Sequence, residues 1–205
     1  APFGVFSPLR GEYLDLLSNT SLPQPCQTAW DIGTGSGVLA AILAKRGIKH
    51  IIATDTNPVA IATAAANFAR VGVTEQIVLS EQDLFPEGCA DLIVCNPPWL
   101  PAKPSSLIET ALYDPNSQML RAFLNGAAAH LNEQGQAWFI MSSLAELIGL
   151  RGAEDLNTWI ADAGLRIVAK HDTAPKHGKA QDSSDVLHAV RSQEVTSLFV
   201  LAKQT

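Results

Sequence analysis

Asn96-Pro97-Pro98-Trp99 combines residue types that suit one kind of chemistry, the handling of a planar nitrogen. It directly follows Asp91 to Cys95, an apolar run without alternation that reads as a strand covered on both faces. Proline at 97 forces Asn96 into an extended conformation and Pro98 does the same to Pro97, so the segment is stiff. An amide or aryl-amine nitrogen is a weak nucleophile because its lone pair is delocalised. It also carries two hydrogens that must be held while the lone pair turns toward an electrophilic carbon. The Asn96 side-chain oxygen and the Pro97 carbonyl supply two acceptors, which is catalysis by positioning and preorganised dipoles. Pro98 and Trp99 would contact the acceptor group, the indole stacking on its flat face. The competing reading is a rigid turn with a packing tryptophan, and what favours chemistry is a second motif upstream.

That motif, Asp31-Ile32-Gly33-Thr34-Gly35-Ser36-Gly37, ends one apolar run and opens a helix-like one. Glycines there let the backbone turn tightly and approach a ligand closely. Gly35 to Ala40 fits the dinucleotide fingerprint G-x-G-x-x-G/A, and Asp55 stands at about the expected 20-residue distance, so a nicotinamide- or flavin-dependent oxidoreductase competes. Asp31 argues otherwise: an acid just before the glycines repels a pyrophosphate but suits the ammonium and sulfonium of S-adenosylmethionine. Asp55 accepts hydrogen bonds from ribose hydroxyls in either case. A third reading is a scaffold that binds a cofactor or partner without turnover.

In order and spacing, Asp31 to Gly37, Asp55, Asp83 and the Asn96 tetrapeptide resemble the motifs of class I S-adenosylmethionine-dependent methyltransferases over nearly the whole chain. The tetrapeptide resembles the N-P-P-Y signature of enzymes acting on protein glutamine or on exocyclic amines of adenine or guanine. Trp99 departs from it, keeping a stacking face and losing the hydroxyl. The resemblance implies a Rossmann-like three-layer α/β sandwich with S-adenosyl-L-methionine as cofactor. Asp31, Gly33, Thr34, Gly35, Gly37, Asp55, Thr56, Asp83, Leu84 and Asn96 would hold it, Asp83 meeting the adenine amino group. Asn96 and Pro97 would be catalytic, Pro98 and Trp99 substrate-binding. The acceptor stays open between a protein glutamine and an RNA or DNA base. The cofactor is already activated and its sulfide leaves neutral, so neither a catalytic His or Cys nor a metal is required.

These residues must be positioned by a sheet. Thr28 to Ile32, His50 to Thr54, Gln76 to Ser80, Asp91 to Cys95 and Ala137 to Met141 read as strands. Helix-like runs separate most of them: Val38 to Arg46, stopped by Gly47; a segment capped by Asn57-Pro58 and ending at Gly72; and one opened by Asp114-Pro115 that extends toward Gly135. A helix over Glu154 to Ala163 leads to Leu165 to Lys170 and Thr196 to Ala202, two strands with no helix between them. The pattern predicts seven strands, mostly parallel, with an antiparallel last strand and ligands at the carboxyl ends.

The 205 residues, nearly half apolar, fit a single domain, with 1–25 as an N-terminal arm or lid and 171–195 as a substrate-recognition loop. Phe6 and Pro8 are lid candidates, and Lys103 could meet an anionic group beyond Trp99. A net charge of −6 argues against a broad phosphate-binding surface, although Lys170, His171, Lys176, His177, Lys179 and Arg191 form a local basic cluster. His171, His177, Asp182, Asp185 and His188 lack a metal-ligand spacing. No run of about 18 apolar residues or leader-like start is present, so a non-membrane, cytoplasmic protein is expected, with Cys26, Cys89 and Cys95 as reduced, buried thiols.

Overall fold

The computed structural model describes residues 11–101, 113–174 and 193–204. Seven strands form one sheet: β1 Thr28–Ile32, β2 His50–Asp55, β3 Ile77–Glu81, β4 Ala90–Cys95, β5 Leu131–Ser142, β6 Leu165–Thr173 and β7 Thr196–Lys203. Their spatial order is β3-β2-β1-β4-β5-β7-β6. The first five pair in parallel, and β7 runs antiparallel to both β5 and β6. This is the expected mostly parallel Rossmann-like sheet, with the reversal at the last strand.

Helices cover both faces: α1 Glu12–Asn19, α2 Val38–Lys45 and α3 Pro58–Val71 on one side, α4 Gln118–His130 and α6 Asp155–Asp162 on the other, with a single turn, α5, at Leu144–Leu147. Alternate residues of β4 serve opposite cores. Leu92 and Val94 pack with Leu39, Leu43 and Phe68, whereas Ile93 and Cys95 pack with Leu120, Phe123 and Ile160. Burial on both faces is why this strand reads as an unbroken apolar run.

Local chemistry fixes the helix ends. Asn57 Oδ1 accepts the Val59 N–H at 2.9 Å, Pro58 occupies the first turn, and Gly72 closes α3 in the left-handed region. At the amino end of the sheet, Asp91 accepts from the backbone N–H of Gln27 and Thr28, the Thr28 hydroxyl and the Asn132 amide. Partial burial pushes its carboxyl up, but these bonds outweigh that and hold it below the usual range. The clamp ties together the bases of β1, β4 and β5.

Several expectations need correction. The helix opened by Asp114-Pro115 is a short 3₁₀ turn followed by α4, and it stops at His130, well before Gly135. Asn132 to Gln136 instead extend β5, with an irregular register against Ala90 and Leu92. The segment 171–195 begins inside β6, which continues to Thr173, and ends with a buried Glu194. Only Cys95 is buried; Cys26 is partly exposed and Cys89 exposed. Among the described residues no helix is long and apolar enough to cross a membrane.

Candidate active site

Strand register brings the two motifs together. Ile32 of β1 pairs with Cys95 of β4, so Gly33 and Asn96 leave neighbouring strands side by side at the carboxyl edge. On the other flank Ile32 pairs with Thr54, placing Asp55 at the same edge. Its Oδ2 accepts the Gly35 N–H at 2.9 Å and its Oδ1 the Asn57 N–H at 2.9 Å. The carboxylate is thereby oriented between the loop and α3, with lone pairs left on both oxygens.

The glycines divide by what surrounds them. Gly35, at φ +55°, has nothing within 4 Å of the place a Cβ would occupy. Gly37, at φ +82°, would drive a Cβ to 2.5 and 2.7 Å from the Phe68 ring. The first keeps open space beside the loop; the second lets α2 pack on α3. Gly33 lies under Met119, whose methyl group would be 2.6 Å from a Cβ there.

Asp31 is fully buried. Its Oδ2 accepts the Thr34 hydroxyl at 2.7 Å and the Ala40 N–H at 3.0 Å, while Oδ1 has no hydrogen-bond partner. Burial pushes the carboxyl up to about 6; the two hydrogen bonds pull the other way and the Asp55 charge adds to the rise. Thr34, expected at the cofactor, turns its hydroxyl inward to Asp31. Two residues that no motif marked, Glu12 and Tyr13, also have a buried oxygen without a partner, Oε1 and the hydroxyl, and Tyr13 lies within reach of the Asp31 charge. Burial, followed by the charges on Asp31 and Glu12, raises the Tyr13 phenol. Buried carboxylate oxygens lacking donors are what a cationic ligand would satisfy. With the open face at Gly35 and the oriented Asp55, buried Asp31 fits the ammonium, sulfonium and ribose of S-adenosylmethionine.

Asp83 is exposed in the turn after β3. Leu84, at φ +49°, packs against the second core and its carbonyl accepts the Thr54 hydroxyl at 2.8 Å. Thr56 is exposed at the end of β2. In the tetrapeptide Pro97 is buried, and Asn96, Pro98 and Trp99 are partly exposed. The Trp99 indole Nε1 donates to Asn96 Oδ1 at 3.0 Å, and the Tyr13 ring meets the indole edge-on, 6.4 Å between centroids.

Asp114 is a further residue that the sequence placed only as a helix start. Its N–H donates to the Leu100 carbonyl at 2.8 Å, and its carboxylate accepts from the N–H groups of Met119 and Leu120. It therefore joins the segment following Trp99 to the helix that carries Met119 over Gly33. At the end of β5, Ser142 Oγ donates to Glu194 at 2.5 Å, and buried Arg151 donates to both Glu146 oxygens and to the Ser142 carbonyl. No sequence signal marked this buried polar cluster, because its members are scattered single polar residues. Lys170 and His171 lie on β6. Phe6, Pro8, Lys103, Lys176, His177, Lys179, Asp182, Asp185, His188 and Arg191 lie outside the described residues.

A seven-stranded sheet with a glycine loop after β1, an acid ending β2 and Asn-Pro-Pro after β4 has the class I methyltransferase fold, as the sequence motifs implied. Residues 13–97 match the family model described as ribosomal protein L11 methyltransferase (PrmA). Among curated proteins, the release factor glutamine methyltransferase of Cereibacter sphaeroides is 37% identical over 135 residues, 58% of this chain and 48% of that protein. The ribosomal protein L11 methyltransferase of Pelotomaculum thermopropionicum is 41% identical over 75 residues, 36% of this chain and 24% of that protein. These matches span about half or less of the relatives' length. Among solved structures, the ribosomal protein L11 methylase of Lactobacillus delbrueckii subsp. bulgaricus superposes with a TM-score of 0.66 at 21% identity, covering 98% of this chain and 81% of its own. An S-adenosylmethionine-dependent methyltransferase of Clostridium acetobutylicum gives 0.60 at 14% identity, over 95% and 89%. At those identities the likeness establishes the fold.

Proposed function

We propose that the chain is an N-methyltransferase that uses S-adenosyl-L-methionine to methylate a planar amide nitrogen of a protein. The observation that carries this reading is the β1–β4 register, which starts the glycine loop and Asn96 side by side. When bound, the cofactor supplies an electrophilic methyl group on a sulfonium and departs as a neutral thioether. Asp31 and Asp55 would hold its charged end and its ribose, with Asp83 at the adenine. Asn96 Oδ1 and the Pro97 carbonyl would each take one hydrogen of the acceptor NH2. The nitrogen lone pair is then free to form the N–C bond, and one of those hydrogens leaves as a proton to water.

The names of the relatives, a release factor glutamine methyltransferase and ribosomal protein L11 methyltransferases, support a protein acceptor over a nucleic-acid base. An oxidoreductase reading leaves Asn96 idle and sets a buried acid against a pyrophosphate. Two measurements test the proposal. Calorimetric titration should show S-adenosylmethionine binding and no NAD binding. Labelled methyl groups should enter a cell-extract fraction that protease removes and nuclease spares. NAD binding without S-adenosylmethionine binding would reverse the assignment, and nuclease-sensitive label would move the acceptor to nucleic acid.

A further inference from the structure

We infer that Trp99 is a positioning residue, its indole N–H holding the Asn96 carboxamide with the oxygen toward the acceptor, and that stacking on the acceptor is not its main task. The inference rests on the methyl-transfer reading and deepens it. An indole N–H can only donate, so the Asn96 atom 3.0 Å from it is the oxygen and not the amide nitrogen. That contact uses one lone pair of Oδ1 and leaves the second for a substrate hydrogen. If the carboxamide flipped, two donors would face each other at Trp99, and the Asn96 NH2 would face the acceptor NH2, again donor against donor. The flipped state therefore loses at both ends, and the tryptophan biases Asn96 toward the state that can accept.

The surroundings hold the indole in that pose. Tyr13 meets it edge-on at an interplanar angle of 84°, and the ring packs partly against both cores. Pro97 and Pro98 stiffen the backbone between the two partners. With its ring shared between Tyr13 and the cores, Trp99 is better anchored than a side chain waiting for a base to stack on it. An acceptor that needs two hydrogens gripped but no large aromatic platform is a carboxamide.

Trp99→Phe keeps a ring against Tyr13 and removes only the N–H. We expect kcat for labelled methyl transfer to fall about tenfold, while the acceptor KM changes less than about threefold and the cofactor Kd less than about twofold. Wild-type kcat in that variant would overturn the inference, and so would a loss carried entirely by KM, the mark of a stacking role. A second measurement does not depend on turnover. In ¹⁵N-labelled protein, the indole N–H signal assigned to Trp99 should exchange slowly and move on Asn96→Ala; a fast-exchanging signal indifferent to that substitution would also overturn it. Wild-type protein that transfers no methyl group while the indole signal behaves as expected would instead overturn the methyl-transfer reading and leave the Asn96–Trp99 hydrogen bond standing.

Discussion

Asp31→Asn should make the empty protein more stable at pH 8 while weakening its hold on the cofactor. Burial raises the Asp31 carboxyl from 3.8 to about 6. Two units correspond to about 3 kcal/mol favouring the protonated form. Because the folded value lies above the unfolded one, this stabilisation is fully present below about pH 4 and is lost as pH rises through about 6. Above that the empty site holds a buried charge whose Oδ1 has no donor. Asparagine cannot ionise, and its oxygen still accepts from Thr34 and Ala40. Its buried NH2 gives back about 1–2 kcal/mol, leaving a net gain of roughly 1–2 kcal/mol, or about 2–8 °C in Tm for a chain of this size. The cofactor's cation loses its carboxylate, so Kd should rise about 10- to 100-fold, the range for a hydrogen bond to a charged group. Thermal melts of both proteins between pH 4.5 and 8, with and without S-adenosylmethionine, measure both effects. A variant less stable than wild type by the same margin at both ends of that range would refute the reasoning.

Asn96→Ala should retain S-adenosylmethionine binding, with Kd raised at most about tenfold, while kcat falls about 10²- to 10³-fold, the cost of losing one preorganised polar group, read by calorimetry beside single-turnover label transfer. Gly35→Ala and Gly37→Ala should separate by readout. The first meets only backbone strain, about 1–2 kcal/mol, and chiefly weakens cofactor binding; the second adds collision with Phe68 and chiefly lowers stability, by about 2–4 kcal/mol in denaturant titration. Arg151→Ala should destabilise by about 2–3 kcal/mol, toward the low end for a buried pair because Glu146 keeps some access to water, with cofactor affinity unchanged.

What the sequence made legible were features written into the backbone by a residue's own chemistry. The Asn57-Pro58 helix start, the glycine loop and the stiff Asn96-Pro97-Pro98 run all stand where expected, because proline, glycine and a capping side chain act within a few residues of themselves. The apolar runs located the strands for the same reason. Element ends that depend on a neighbour did not show. Asn132 to Gln136 lie where a helix running toward Gly135 was expected, and they extend β5 because Ala90 and Leu92 of β4 offer partners across the sheet.

Side-chain direction is the harder quantity, and the site turns on it. Gly35 and Gly37 are indistinguishable in the motif; they differ because Phe68, delivered by α3, arrives against one and not the other. Thr34 is a ligand candidate by its place in the loop, and only the fold shows that its hydroxyl is given to buried Asp31. Glu12 and Tyr13 carry no motif at all, and Tyr13 gains its meaning from the fold, which sets its ring against Trp99 and its buried hydroxyl within reach of the Asp31 charge. Trp99 follows the same logic. Its type suggested a platform, yet its one donor is spent on Asn96, so the residue's contribution is set by which atom it faces and not by the size of its ring. A motif thus locates the reacting edge, while the division of labour within it, between groups that touch the ligands and groups that hold those groups still, is decided by contacts made across the sheet.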